Sequence, residues 1–180
     1  AAAILIAASA NIAGARLGAA IVNVSTAAKF LGLIGLSGLA LLLGGAHGGS
    51  SAHFSAGAPV SAGSLGLALV SVMWAYDGFG DVSFAGGEVT SPQRTLPRAI
   101  IGGTAAVAAA YVLVNVGYLF VLSIDGIASS PLVAADTMTA VIGSSGAATV
   151  SLMVAVSTFG ALNADFLGSS RIFFAMADDG

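Results

Sequence analysis

Long runs of apolar residues, separated by short polar stretches, dominate the chain. These runs predict membrane-spanning α-helices, because a helix needs about 20 predominantly apolar residues to cross a bilayer. They do not alternate apolar with polar residues at period two, as the strands of a membrane barrel would. The predicted fold class is therefore all-α, a polytopic transmembrane helical bundle. The predicted spans are a partial one at 1–10 and complete ones at 26–45, 64–87, 98–122 and 145–168.

One predicted span is interrupted near its middle by SVMWAYDGFGDVSF, residues 71–84. Gly78 and Gly80 are poor helix formers, and Asp77 competes for nearby backbone groups. Irregular backbone is tolerated at membrane depth only where it lines a cavity enclosed by protein or filled with water. A Gly-rich packing face is the alternative, but packing gives no reason to bring Asp77 and Asp81 into a span. We interpret the segment as a discontinuous helix that lines a binding cavity, as in many secondary transporters.

Composition and basic residues indicate how the spans are arranged. The chain is 57% hydrophobic and 7% charged, whereas soluble domains carry about 25% charged residues. Lys and Arg accumulate in short cytoplasmic loops, and here the arginines fall in alternate connections. The intervening loops, 46–62 and 123–143, contain neither Lys nor Arg. We predict a multi-pass protein of the plasma membrane whose segments 11–18, 88–98 and 171–180 are cytoplasmic.

Other residues narrow the chemistry. The chain has no cysteine, which excludes thiol chemistry within it. His47 and His53 lie in a Gly/Ser-rich loop at a spacing that matches no metal motif, so we interpret them as solvated loop residues and predict no metal or cofactor. Pro92 and Pro97 argue against a continuous helix through the loop that follows the interrupted span. Both ends of the chain look cut, so we expect a fragment of a longer protein.

Lys29 is the one basic residue outside the predicted loops. It lies near the start of the span at 26–45, and two interpretations stay open on the residues alone. Its long side chain can snorkel to the cytoplasmic surface. Alternatively it is a functional charge, because a Lys near the centre of a membrane helix costs about 3 kcal/mol and tends to be kept for a purpose.

Several segments together resemble a known family. WAYDGF and the following GEVTSPQRTLP match, nearly residue for residue, the broken sixth helix and following loop of amino acid permeases. NIAGARLGAAIVNVSTAAKF, YVLVNVGYLFVL and VSTFGALNADFLGSSRIFFAMADDG resemble the entrance to the fifth helix, the seventh helix and the eighth helix. The chain is identified as a member of the amino acid–polyamine–organocation superfamily, closest to its L-type, heteromeric-transporter-like branch. The resemblance covers the whole chain and implies part of a 5+5 inverted-repeat fold.

The resemblance implies a substrate site at the break. Trp74 matches the aromatic residue that covers the substrate and helps to close the outer side. The backbone of Ala75, Tyr76, Asp77 and Gly78, with that of Trp74, matches the unwound segment whose carbonyls accept the substrate amino group.

The resemblance also implies roles outside the break. Lys29 matches a lysine that takes the place of a sodium ion in sodium-coupled relatives, which favours its functional interpretation. Ser157 and Thr158 lie where those relatives place hydroxyl ligands; the alternative is hydroxyl groups that bond to helix backbone. Tyr111 and Asn115, one helical turn apart, either line the cavity or form a structural bond between helices.

The function implied is secondary active transport of amino acids by alternating access, as sodium-independent exchange or proton-coupled uptake. The partners expected are an amino acid substrate, the lipid bilayer and the missing helices of the parent chain, without nucleic acid. The first helix of the family, which supplies the other half of the site, is absent, so this chain should not transport in isolation. Where many relatives read ARDG after the eighth helix, residues 178–180 read DDG, and the small Gly80 leaves a roomier side-chain pocket.

Three other functions are each compatible with part of this pattern. A polyamine or other organic amine transporter would have the same fold. An intramembrane enzyme would use Asp77 and Asp81 as an acid/base pair, but no second catalytic motif accompanies them, so no enzyme is predicted. A channel would need rings of carbonyls or charges, which a single lysine and a single break do not make.

Overall fold

A computed structural model of the protein describes residues 2–12, 14–55, 60–78 and 80–178. Within these ranges the regular structure is entirely helical, which confirms the predicted all-α fold. The α-helices are α1 (Ala2–Ile12), α2 (Ala15–Leu43), α3 (Ala62–Ala75), α4 (Pro92–Val121), α5 (Ile124–Ser129), α6 (Val133–Ile142) and α7 (Ser145–Asp178). Shorter 3-10 helices lie between them at Gly44–His47, Ser51–Phe54 and Asp81–Glu88.

Three helical segments are long and apolar enough to cross a bilayer. They are Arg16–His47, Pro92–Val121 and Ser145–Ser170. The chain is therefore a multi-pass membrane protein built as a transmembrane helical bundle. A further complete span at 64–87 stays a prediction, because α3 has only 14 residues.

The loop predicted before α4 is helical for half of its length. α4 begins at Pro92 and continues through Pro97, so the prediction that these prolines prevent a continuous helix is wrong. Pro92 occupies the first helical position, where its missing N–H has no partner to lose. Pro97 removes one bond, to the carbonyl of Gln93, and both residues are exposed at the end of the helix. Water can solvate that carbonyl, so the helix accommodates the proline.

The bundle is centred on α2, which packs against α7 on one side and α4 on the other, with α6 closing the gap between them. Two small clusters of buried side chains form its core: Leu36, Met138 and Val150, and Ala40, Val121 and Val141. Gly117 of α4 lets the two helices approach closely, because a Cβ there would lie 3.3 Å from the Ala40 methyl group. Small residues have this role in membrane helices, where packing replaces the hydrophobic effect as the driving force.

The glycines of α2 do not all share the packing role expected from the sequence. A Cβ at Gly32 would lie 2.6 Å from the Met153 Cε atom, so Gly32 faces α7 closely. Around Gly35 and Gly38 no described atom lies within 4 Å of such a Cβ. Only the first of the three therefore contributes to a helix contact within the described part of the chain.

The loop after α2 is tied to the end of α4. The Ser50 N–H donates to the Phe120 carbonyl at 2.9 Å, and the His53 Nδ1 atom lies 3.1 Å from the same oxygen. Because a carbonyl only accepts, this geometry requires the proton of His53 on Nδ1. His53 is half-buried rather than solvated, so that part of its interpretation is wrong, whereas His47 is exposed as expected.

The predicted break in the helix is confirmed. α3 ends at Ala75, a turn follows, and Gly78 adopts φ 91°, a left-handed conformation that favours glycine. The chain then continues as the 3-10 helix Asp81–Glu88 instead of resuming an α-helix. A 3-10 run longer than about four residues is uncommon, which marks this segment as irregular. Phe79 of the break, like Asp179 and Gly180 of the predicted cytoplasmic end, lies outside the described residues.

Candidate functional site

The break in the helix lines a cavity of about 320 Å³. Its wall on one side is the backbone and side chains of the four residues Ala75, Tyr76, Asp77 and Gly78. The opposite wall is the middle part of α4, from Ala99 to Tyr111. Four of the five residues that the sequence analysis assigned to substrate binding therefore meet at one concave surface, and Trp74 is the exception.

The carbonyl groups at the break are only partly used within the fold. The Trp74 carbonyl accepts a bond of 3.3 Å from the Asp77 N–H and is also an acceptor of the Tyr76 N–H at the end of α3. In the residues that the structure describes, no N–H donates to the Asp77 carbonyl. Each carbonyl oxygen has two lone pairs, so the Asp77 carbonyl has full capacity to accept hydrogen bonds from a ligand. An ammonium group, which carries three donors, is the chemistry that such a site fits.

Tyr111 of α4 connects the break to the bundle. Its hydroxyl donates a long bond of 3.3 Å to the carbonyl of Ala75, the last residue of α3. Its ring meets the Tyr76 ring edge to face, with centroids 5.4 Å apart, the arrangement that aromatic pairs prefer. These two contacts hold the end of α3 against α4.

A second cavity, of about 430 Å³, lies on the other side of Tyr111. The polar side chains of its wall are Lys29 of α2, Ser157 of α7, and Tyr111 and Tyr118 of α4, and the rest of the wall is apolar. Among the described residues, no carboxylate or hydroxyl pairs with the Lys29 ammonium. A buried or half-buried cation in an apolar setting is costly unless it has a partner, so this cavity has the chemistry of a site that needs an anionic or polar partner.

Three residues that were predicted to contribute to the site do not line either cavity. Trp74 is 82% exposed and lies on the outside of α3, away from the wall of either cavity. The Thr158 hydroxyl donates to the Val154 carbonyl of its own helix at 2.9 Å. The Asn115 amide donates to the Tyr111 carbonyl one turn earlier at 2.8 Å. For Thr158 the geometry matches the structural alternative considered from the sequence. The Asn115 bond lies within α4 and is not the bond between helices that was the alternative for Asn115.

The pair Asp77 and Asp81 shows no acid/base geometry. Both are exposed, and Asp77 lies in the turn whereas Asp81 begins the next helix. The Asp81 carboxylate lies on the Gly78 side of the turn, 3.3 Å from where a Cβ would be at Gly78. The two carboxylates give the rim of the break a negative charge, which again favours a cationic group.

Two features were missed by the sequence analysis. Val107 lines both cavities together with Tyr111, and nothing distinguishes it from the other apolar residues of α4. Asn163, fully buried in α7, donates to the Gly18 carbonyl of α2 at 2.9 Å and accepts from Asn11 of α1 at 2.8 Å. A polar residue in an apolar membrane helix is rare and commonly functional, so Asn163 did carry a signal in the sequence.

Comparison with known proteins gives a consistent result. The family described as amino acid permease matches residues 1–180. The b(0,+)-type amino acid transporter 1 of Homo sapiens is 36% identical over 182 residues, which is 100% of this chain and 37% of that protein. The serine/threonine exchanger SteT of Bacillus subtilis (strain 168) is 32% identical over 169 residues, 93% of this chain and 38% of that protein. The cystine/glutamate transporter of Pongo abelii is 34% identical over 116 residues, 64% of this chain and 23% of that protein. The chain thus spans well under half the length of these relatives.

Proposed function

The chain belongs to the amino acid permease family, and from this premise we propose that it forms the central part of a transporter that carries amino acids across the plasma membrane by alternating access. The observation that carries the proposal is the cavity at the break, lined by the exposed backbone of residues 75–78. Irregular backbone in a membrane protein lines a cavity, and this family is one of transporters, which points away from catalysis. The remaining helices of the parent chain complete the site.

In this proposal the break binds the amino group of the substrate. The Trp74 and Asp77 carbonyls accept its hydrogen bonds, and the rim carboxylates add attraction for a cation. An acidic residue, Asp81, occupies the first turn of the second half-helix, where a substrate carboxylate would otherwise gain from the helix dipole. The substrate carboxylate is therefore bound by helices outside this chain. Trp74 lies away from the wall of the cavity, so in this proposal its indole covers the substrate only after the end of α3 has moved toward the cavity.

Lys29 takes the place of a coupling cation. Its ammonium lines a cavity beside Ser157 and has no partner among the described residues. A fixed positive charge at that position makes a sodium ion both unnecessary and electrostatically unfavourable. We therefore expect transport that does not depend on sodium.

The bundle also supports the predicted orientation. Asn163 of α7 bonds to Gly18 near the start of α2, and Gly44 just after α2 packs on Val121 at the end of α4. One end of the bundle therefore contains the start of α2, the start of α4 and the second half of α7. Arg16 and Arg98 lie in those starts, and the positive-inside rule assigns that end to the cytoplasm.

The proposal is tested with the full-length protein purified and reconstituted in liposomes. Radiolabelled amino acids are offered with and without a sodium gradient, and with and without unlabelled amino acid inside. We expect saturable uptake that is unaffected by sodium. Stimulation by internal amino acid would establish exchange, which the name of the bacterial relative favours, and stimulation by an acidic exterior would establish proton coupling. Failure to take up any amino acid in a saturable manner would refute amino acid transport.

A second candidate function is the transport of organic amines or polyamines. The observation that favours it is the negative charge at the rim of the break. Two exposed carboxylates attract a cation whether or not that cation carries a carboxylate of its own. A competition panel separates the two functions. If putrescine and spermidine displace the labelled substrate more strongly than any amino acid does, the amine function replaces the first proposal.

A further inference from the structure

The helices α2 and α7 lie very close together where Gly160 faces Ser25. A Cβ at position 160 would lie 2.5 Å from the Ser25 Cβ atom, with the Ser25 Oγ atom also in its way. Real Cβ atoms essentially never approach other heavy atoms so closely, so only glycine fits at 160 while serine stays at 25. Ser25 is itself only 6% exposed, and its hydroxyl donates to the Val22 carbonyl at 3.0 Å. We call this contact the Ser25–Gly160 notch.

The notch is held in register on both sides. One turn further along α7, the buried Asn163 amide bonds to the Gly18 carbonyl of α2. In the other direction, Gly32 of α2 receives the end of the Met153 side chain of α7. The contacting positions on α2 are seven residues apart, which keeps them on one face of the helix. The two helices therefore have little freedom to slide or separate here.

Lys29 and Ser157 are each about one turn from the notch, on α2 and α7 respectively. Both line the same cavity, and the Lys29 Cε atom lies 3.7 Å from where the Cβ at position 160 would be. The distance between α2 and α7 at the notch therefore determines the position of the Lys29 ammonium relative to Ser157. A side chain at 160 would meet Ser25 far inside contact distance and push the helices apart, whereas its distance from the Lys29 Cε atom is that of an ordinary contact.

We propose that Gly160 is a positioning residue for Lys29, and that the Ser25–Gly160 notch fixes the place of the ammonium in its cavity. The inference rests on the proposed function, in which that ammonium replaces a coupling cation. If so, the transport rate depends on the combined volume of the side chains at positions 25 and 160 and not on either residue alone.

The test is a steric exchange in the full-length transporter. Gly160→Ala should lower the maximal transport rate by roughly tenfold to a hundredfold, because small displacements of a working group have effects of that size. Ser25→Gly removes the atoms that the new methyl group would meet, so Ser25→Gly/Gly160→Ala should restore the rate to near the wild-type value. Gly168→Ala is the matched control on α7, since no described atom lies within 4 Å of a Cβ there. A rate for Gly160→Ala equal to that of the wild type, or a loss that Ser25→Gly does not rescue, would overturn the proposal.

A second readout separates a displaced lysine from a generally damaged protein and from a failure of the proposed function. Position 29 is replaced by cysteine, other cysteines of the full-length protein are removed, and its labelling rate by a charged thiol reagent is measured. We expect the labelling rate to change several-fold on Gly160→Ala, to return in the double variant, and to stay unchanged on Gly168→Ala. Labelling that obeys this pattern, when the matched protein that keeps Lys29 transports no amino acid, would support the notch and refute the proposed function. Unchanged labelling alongside lost transport would refute the notch and leave the proposed function standing.

Discussion

The bundle of α2, α4, α6 and α7 and the segment from α3 through the break are held together in different ways. The bundle has buried side chains at its centre, glycines where helices cross and a fully buried amide in Asn163. In contrast, all fourteen residues of α3 are exposed. Within the described part of the chain, its end is held by one long hydrogen bond and one ring contact, both from Tyr111.

The difference indicates that the two regions have different roles. The bundle is the rigid part of the site, which we call the frame, and the break is the part that binds the ligand. Few packed contacts and exposed backbone bonds mark the parts of a protein that open or move most easily. The break has these properties, and it also carries the unused carbonyl groups. The bundle contributes a cation, Lys29, from a rigid position. On this basis we expect substitutions in the bundle to change stability or coupling, and substitutions at the break to change substrate binding while the protein remains folded.

The largest effect is expected for Lys29→Ala. The substitution removes the fixed charge from the cavity that Lys29 shares with Ser157, and it should either abolish transport or make transport depend on sodium. Uptake into liposomes with and without a sodium gradient measures both outcomes. Lys29→Arg keeps the charge and serves as the matched variant, with at least partial sodium-independent activity expected.

An unchanged, sodium-independent rate in Lys29→Ala would mean that the lysine only snorkels to the cytoplasmic surface. The bundle would then supply no functional group to the site, and Lys29 would no longer connect the two regions functionally. The notch proposal would lose its basis at the same time, since there would be no working ammonium to position.

Trp74→Ala should weaken uptake with expression intact. Trp74 is exposed, so its removal leaves no cavity in a core, and the protein should fold and express at wild-type levels. If the indole closes over the substrate, its loss should raise KM by about tenfold, in the range of one good aromatic contact. Initial-rate kinetics with expression measured in parallel checks this. Wild-type kinetics would remove Trp74 from the site.

The two asparagines Asn163 and Asn115 provide a direct test of stability in the bundle. Asn163→Ala leaves the Asn11 amide without its interhelical acceptor and the Gly18 carbonyl without its donor, so it should destabilise the protein by about 1–3 kcal/mol. Asn115→Ala removes a bond within one exposed turn and should change stability by less than about 0.5 kcal/mol. Thermal unfolding of the two purified variants in the same detergent measures the difference. Equal Tm values would contradict the assignment of Asn163 to the frame.

Much of this division could be predicted from the sequence. Apolar runs give the long helices because burial of backbone polar groups in lipid leaves a chain few alternatives. The break was predictable because glycines and aspartates inside an apolar span oppose a regular helix. Lys29 stood out as the one basic residue outside the predicted loops. In each case the physical cause acts locally, on a few neighbouring residues.

Features that depend on which helices meet were not predictable. Asn163 finds its partner Asn11 across 152 residues of sequence, and no local pattern indicates that pairing. Gly32 and Gly35 look alike in the sequence, yet only Gly32 faces a neighbouring helix closely within the described residues. Pro97 was misjudged for a related reason: its effect on a helix depends on whether the lost bond lies in lipid or at an exposed end.

The smallest effect is expected for Tyr111→Phe, at the point where the two regions meet. The substitution removes the hydroxyl that bonds to the Ala75 carbonyl but keeps the ring that packs on Tyr76. A neutral hydrogen bond contributes about 0.5–1.5 kcal/mol, so KM should change by roughly threefold to tenfold without a loss of Tm. Tyr111→Ala removes the ring contact as well and should have the larger effect. If Tyr111→Phe instead lowered Tm as Asn163→Ala does, the end of α3 would belong to the frame, and the boundary between the two regions would have to be moved past the break.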